Sequence, residues 1–277
     1  MTAGPTTFCP RPHPLATALA CVLALAAGRA RAQSARAATA PSPGKPSIVL
    51  VHGAFADAMS WARVIPLLER AGYAVTAVEN PLTSWEADVA ATRRVVRAQP
   101  GPVILVGHSY GGAVITQAAA GDPRVRALVY VAALAPDSGE AAAQYLDQYP
   151  APLSQALASD PAGFLYIDRA RLRDVFARDL PEAETRVMAA TQKPINGASF
   201  KAAPTAVAWK RVPSYYLVAR QDRAINPELE RFYARRMNAT TVEVESSHVP
   251  FLSQPAAVAR LIERAAADLA SSRVRTR

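Results

Sequence analysis

Cysteine is almost absent from this chain: Cys9 and Cys21 are the only two in 277 residues, and both fall before residue 33. If that leader is removed, disulfides and a cysteine nucleophile are excluded from what remains. Histidine is nearly as scarce, with only His52, His108 and His248 beyond the leader. No His/Cys cluster of metal-ligand spacing, phosphate loop or dinucleotide fingerprint is present, so no metal or other cofactor is expected. Acidic residues are missing altogether before Gln33. The apolar run from Leu15 to Ala27 is too short to span a bilayer, which argues against stable membrane insertion.

What those first residues do contain is a secretory pattern. Arg11 gives a basic start, the apolar run follows, and Ala30-Arg31-Ala32 forms a small-x-small cleavage site before Gln33. Residues 1–32 therefore read as a signal peptide and the protein as secreted or periplasmic. Residues 33–46, rich in Ala, Ser and Pro, read as a disordered linker, and 272–277 as a basic tail. Loss of Arg11, Arg29 and Arg31 takes the net charge from +9 to +6. The remaining cations are dispersed without interleaved aromatics, which excludes a nucleic-acid groove.

From Ile48 onward apolar runs alternate with helical patterns. Strands are predicted at Ile48–Val51, Ala74–Val78, Val103–Val106, Ala127–Ala132, Tyr215–Val218 and Thr240–Val244. Such alternation implies one α/β domain over 47–271, a doubly wound, mostly parallel sheet covered by helices on both faces. Pro66 should kink or delay the first helix, and Pro255 should open the last. About seventy residues after Leu134 carry no convincing strand. A helical cap is predicted there, at about 137–205, with one helix over Arg169–Arg178 capped by Asp168 and another beginning after Pro181. Its aromatics, with Phe55, suggest a substrate-binding set of Phe55, Tyr145, Tyr166 and Phe176.

The chemistry centres on Gly107-His108-Ser109-Tyr110-Gly111, which lies between an apolar strand and a helix. Gly-x-Ser-x-Gly in that context is a nucleophile elbow. The glycines let strand and helix approach closely, and Ser109 sits where helix N–H groups favour negative charge. A serine hydroxyl needs a base. His108 adjoins the nucleophile and should point away from where a base is needed, and His52 fits a bracing role at the end of the first strand. His248, in the loop after the final strand, is the candidate base. Asp222, after the strand before it, is the candidate acid in the order Ser, acid, His, with Asp137 in reserve. The N–H groups of Ala54 and Tyr110 are the candidate oxyanion hole.

Taken together, His-Gly-Ala before an aromatic and Trp61, Gly-His-Ser-Tyr-Gly-Gly, Gln-Asp-Arg-Ala-Ile-Asn-Pro and Ser-His-Val-Pro-Phe-Leu-Ser-Gln-Pro resemble the α/β-hydrolase family over residues 47–270. They are most similar to small bacterial hydrolases related to plant methylesterases and hydroxynitrile lyases. The resemblance implies the fold, the triad and a small-molecule ester substrate. Lyases of that group carry an acid before the serine and a lysine after the histidine. Here His108 and Val249 stand at those places, which favours ester hydrolysis. Cofactor-free perhydrolysis or halogenation, a lyase reaction, and ligand binding with little turnover stay open as alternatives on the same site. N-terminal sequencing of the exported protein should begin at or near Gln33, and an intact Met1 on active exported material would overturn the leader.

Overall fold

The computed structural model of the chain describes residues 44–275 together with Met1, Thr2 and Gly4, and side chains as far as Ser271. The expected leader, most of the linker and part of the tail lie outside the described residues. The fold set out below is that of the unit Pro41–Arg277.

Among the described residues there are nine strands: β1 (Ser47–Val51), β2 (Val75–Val78), β3 (Val103–Ser109), β4 (Val125–Ala133), β5 (Leu157–Ser159), β6 (Phe164–Ile167), β7 (Ile195–Asn196), β8 (Ser214–Ala219) and β9 (Thr240–Val244). Six of them form a wholly parallel sheet in the order β2-β1-β3-β4-β8-β9. These are the six strands expected from the apolar runs, with β3 continuing through the serine. β1, β3 and β8 are buried at every position, whereas the edge strands β2 and β9 are mostly half-buried or exposed. Interior strands of a parallel sheet are covered on both faces, so a continuous apolar run is what they require.

The helices are α1 (Ile65–Arg70), α2 (Trp85–Ala98), α3 (Tyr110–Ala118), α4 (Ala142–Gln148), α5 (Leu172–Phe176), α6 (Glu182–Thr191), α7 (Pro227–Arg236), α8 (Pro250–Ser253) and α9 (Pro255–Arg275). The chain moves one way from β1 to β2 and the other way from β3 onward. Right-handed crossovers then put α1 on one face and α2, α3 and α7 on the other. Contacts between α1 and α9, and between α2 and α3, fit these two layers. Pro66 delays α1, which starts at Ile65 after a separate 3₁₀ turn at Ala58–Trp61. The reversal of winding lies between β1 and β3, and a crevice opens at the carboxyl ends of strands at such a point.

The segment after β4 differs from expectation. Besides α4, α5 and α6 it contains a three-stranded antiparallel sheet, β5-β6-β7. Its strands are two to four residues long, too short to show period-two alternation in sequence. Asp168 does cap a turn, accepting from Ala170 N–H at 2.8 Å. The helix itself begins later than expected, at Leu172. The helix after Pro181 is present, with Glu182 and Glu184 in its first turn.

Ser109 joins β3 to α3 with φ 52° and ψ −126°, a conformation that costs a non-glycine residue about 1 to 3 kcal/mol. The neighbouring backbone holds it there by close contact. A Cβ on Gly111 would stand 2.6 Å from the carbonyl oxygens of both Val51 and His52, and one on Gly107 would stand 2.6 Å from the carbonyl oxygen of Gly111. On the other flank Ala132, at φ 45°, forms a bulge between the pairs His108/Val131 and Ser109/Ala133. Tyr216 fills the gap in the ladder: its hydroxyl accepts from Ala133 N–H at 3.1 Å and donates to the Ala133 carbonyl.

Gly111→Ala should therefore lower the unfolding free energy by roughly 1 to 3 kcal/mol, the usual range for overpacking, or prevent folding. Gly101→Ala, where a Cβ meets nothing within 4 Å, is the control. Equal melting temperatures for both variants would show that the α3–β1 approach is not tight.

Candidate active site

His52 and Gly53 follow β1 directly. The His52 ring is fully buried. Its Nε2 accepts from Asn80 N–H at 2.9 Å, so Nδ1 carries the proton and donates to the Gly53 carbonyl at 2.8 Å. Burial lowers its pKa below the ordinary 6.5, and the ring acts as a neutral strut for the turn that follows. In that turn a Cβ on Gly53 would lie 2.7 Å from Ser109 Cβ, and the absence of one lets the loop lean on the turn at Ser109. Phe55 holds φ 61°. The Ala54 N–H has no hydrogen-bond acceptor among the described residues. Tyr110 opens α3, so its own N–H has no acceptor within the helix. The Tyr110 side chain turns away, its hydroxyl donating to Asp88 Oδ2 at 2.8 Å, while Asp88 Oδ1 accepts from Leu82 N–H.

Asp222 and His248 meet across the loops after β8 and β9. His248 Nδ1 lies 2.5 Å from Asp222 Oδ2, and both side chains are essentially buried. Asp222 Oδ1 accepts two further bonds, from the N–H groups of Ala224 at 2.6 Å and Ile225 at 2.9 Å. Its neighbours do not compete for it: Arg220 pairs with Glu243 and Glu245, and Arg223 with Asp174. A carboxylate on Nδ1 fixes the imidazole tautomer and leaves Nε2 as the basic atom. The reserve acid Asp137 is elsewhere, paired with Lys210 at 2.6 Å.

His108 lies against His248. Its Nε2 donates to the His248 carbonyl at 2.8 Å, and the two rings are 4.6 Å apart. Burial holds its pKa well below the ordinary value, so this ring supports the His248 loop as a neutral donor. Two more supports escape sequence reasoning. Asp179, between α5 and α6, accepts from the N–H of Ser247 at 3.0 Å and from its hydroxyl. Phe176 packs edge-on against the His248 ring at 4.8 Å. Nothing in a lone aspartate after Arg178 signals a partner sixty-eight residues away.

A cavity of about 240 Å3 opens above Ser109. Ala54, Phe55, Phe176, Leu134, Phe200 and Ile225 are among its walls. Of the four expected substrate contacts, Phe55 and Phe176 line it and pack against each other at 6.4 Å. Tyr145 and Tyr166 do not line it, and their immediate neighbours explain why. Leu165 is on the cavity, and successive strand residues face opposite sides, so Tyr166 turns away toward Asp160. On α4 the cavity face is Ala143, Leu146 and Asp147, spaced i, i+3, i+4. Tyr145 lies off that stripe and stacks on Phe232 and Tyr233 instead. Among the described residues no group of three or more His, Cys, Asp or Glu could hold a metal ion, and no helix is long and apolar enough to cross a membrane.

The model of the alpha/beta hydrolase family matches residues 48–261. The chain belongs to that family. An alpha/beta hydrolase of Aspergillus novofumigatus is 29% identical over 247 residues, 81% of this chain and 98% of that protein. Methylesterase 1 of Arabidopsis thaliana is 25% identical over 245 residues, 76% of this chain and 92% of its own. Among solved structures, a pyrethroid hydrolase from Sphingobium faniae JZ-2 superposes with a TM-score of 0.71 at 24% identity, covering 82% of this chain and 99% of the other. That last likeness shows the common fold.

The neutral burial of His52 has a measurable sign. In the unfolded chain this ring titrates near 6.5, whereas in the fold its pKa is lower. Below about pH 6.5 the unfolded chain takes up a proton that the folded chain refuses, so the stability is present above that value and lost as pH falls. Asp88 and Glu230, whose folded pKa values are raised, act in the opposite sense but are common to parent and variant. The gap in unfolding free energy between the parent and His52→Gln should accordingly be widest above pH 7 and narrow toward pH 5. A gap independent of pH would mean that His52 is not held neutral.

Proposed function

We propose that the protein is a serine hydrolase of small to medium carboxylic esters, working through an acyl-enzyme. The observation that carries this reading is the buried Asp222–His248 pair beside Phe176, which shares its cavity with a Ser109 held in a strained turn. In this scheme His248 Nε2 takes the Ser109 proton as Oγ attacks the ester carbonyl. The Ala54 and Tyr110 amides receive the oxyanion, and Asp222 stabilises the imidazolium. His248 then returns the proton to the departing alcohol, and water releases the acyl group by the same steps in reverse. A mainly apolar cavity of about 240 Å3 suits an ester whose acyl or alcohol part is a compact hydrocarbon group.

The relative described as a methylesterase supports ester chemistry; a relative described as an alpha-hydroxynitrile lyase of Arabidopsis thaliana matches 38% of this chain at 34% identity, and the preference for hydrolysis over the lyase alternative rests on His108 and Val249. The composition of residues 1–32 supports an exported, secreted or periplasmic protein.

Ser109→Ala should abolish labelling by a fluorophosphonate probe and reduce turnover of p-nitrophenyl esters by several orders of magnitude. Asp222→Asn should lower kcat on the order of 10⁴-fold, since asparagine holds the wrong imidazole tautomer, while Asp137→Asn should stay within about tenfold of the parent. Sustained turnover by folded Ser109→Ala would remove the serine mechanism, and a reversed order of the two Asn variants would move the acid to Asp137.

A further inference from the structure

Glu230 carries a carboxyl group that is buried without a cation and has no place in the scheme above. Glu230, on the inward face of α7, is 0% exposed. Its Oε2 accepts from Ala219 N–H at 3.0 Å, and Ala219 O in turn accepts the amide of Asp222. The other oxygen, Oε1, meets no hydrogen-bond donor among the described residues, and the Asp222 carboxylate stands within side-chain hydrogen-bonding reach of the Glu230 carboxyl.

Two carboxylates side by side in a site closed to water cannot both be ionised cheaply. Asp222 has the stronger claim to the charge, because it accepts two amides and the His248 ring. The groups that face Glu230 offer it no compensating charge. Tyr216, on β8, gives its hydroxyl to the Ala133 carbonyl, and the Arg231 guanidinium is turned outward to Glu228 and Glu243. Tyr233, one turn further along α7, is a neutral phenol with an unpaired hydroxyl. Burial and the adjacent Asp222 push the Glu230 carboxyl well above the ordinary carboxylate range.

We infer that Glu230 is a positioning residue of this site, a carboxylic acid that keeps its proton on Oε1 and gives that hydrogen bond to Asp222. An ionised carboxylate has about four acceptor positions, and three on Asp222 are filled by the bonds already described. A neutral donor at the fourth holds the plane of the carboxylate toward His248. No proton is transferred by Glu230 during turnover, and it touches no part of the cavity.

The proposal rests on Asp222 being the acid of an ester hydrolase, and its test has one arm that does not require turnover. Glutamine can reproduce both bonds of the neutral acid, its carbonyl accepting from Ala219 N–H and its amide donating to Asp222. Leucine of similar volume can make neither. The infrared spectrum of the full chain in D₂O at pH 7 should contain the C=O stretch of a neutral carboxylic acid, and Glu230→Gln should lose it. Absence of that band in the parent overturns the proposal whatever the enzyme's activity. In p-nitrophenyl ester assays Glu230→Gln should keep kcat within about threefold of the parent. Glu230→Leu should lose about tenfold to a hundredfold in kcat with KM unchanged, the size of effect expected when a reacting group is misplaced. Thermal unfolding of each variant separates this from a stability defect. If Glu230→Leu does not fold, the band and the Gln variant decide, and a folded Glu230→Gln that loses kcat overturns the proposal. A folded Glu230→Leu with the parent's kcat also overturns it, leaving Glu230 as an anchor for Ala219. Should the parent hydrolyse no ester at all, the ester reading fails separately, and the infrared band still decides the state of Glu230.

Discussion

Everything at this site depends on how closely α3 approaches β1 and β3. Ser109 can hold φ 52° only because the backbone around it leaves no room to relax. With side chains at Gly107 or Gly111 the helix would have to retreat, and its free N–H groups would retreat with it. The same approach lets the loop after β1 lie against Ser109, so the amides of Ala54 and Tyr110 come from elements that are locked together. Strain in one residue is offset by packing among many, most of them far from any substrate.

A second layer of support surrounds His248. From below, His108 donates to its carbonyl; from beside it, Phe176 covers the ring; through Ser247, Asp179 ties down the loop. Both buried histidines other than His248 are kept neutral, one under the loop after β1 and one under the loop after β9. This division leaves His248 as the histidine paired with a carboxylate and uses His52 and His108 as uncharged hydrogen-bonding wedges. Neutral imidazole is suited to that second task, because it offers one donor and one acceptor in a flat, apolar body.

How much of this was legible in the sequence varies with the range of the interaction. The parallel sheet was readable because its inner strands are buried on both sides and appear as unbroken apolar runs. Ser109 and Asp222 follow such runs and His248 follows the edge strand β9, so the sequence pattern already places all three at the same edge of the sheet. The small sheet β5-β6-β7 was not, since its strands are shorter than one period of useful pattern. Tyr145 and Tyr166 have the chemistry of substrate contacts, but which side of α4 or β6 faces the cavity is fixed by packing that sequence does not display. Glu230 was hidden for another reason: in Glu228-Leu229-Glu230-Arg231 it reads as part of a solvated helix face, and only its burial sets it apart.

The bonds between Asp179 and Ser247 make the segment over the cavity and the loop of His248 a single mechanical part. Residues 137–205 look like an insertion that could be exchanged to change what the cavity admits. Yet one of its side chains fixes the residue next to His248, and another covers the imidazole itself. A chimera carrying the corresponding segment of a different hydrolase would lose both holds unless the donor supplied its own. In redesigning this protein, therefore, transplanting that module also disturbs the seat of His248.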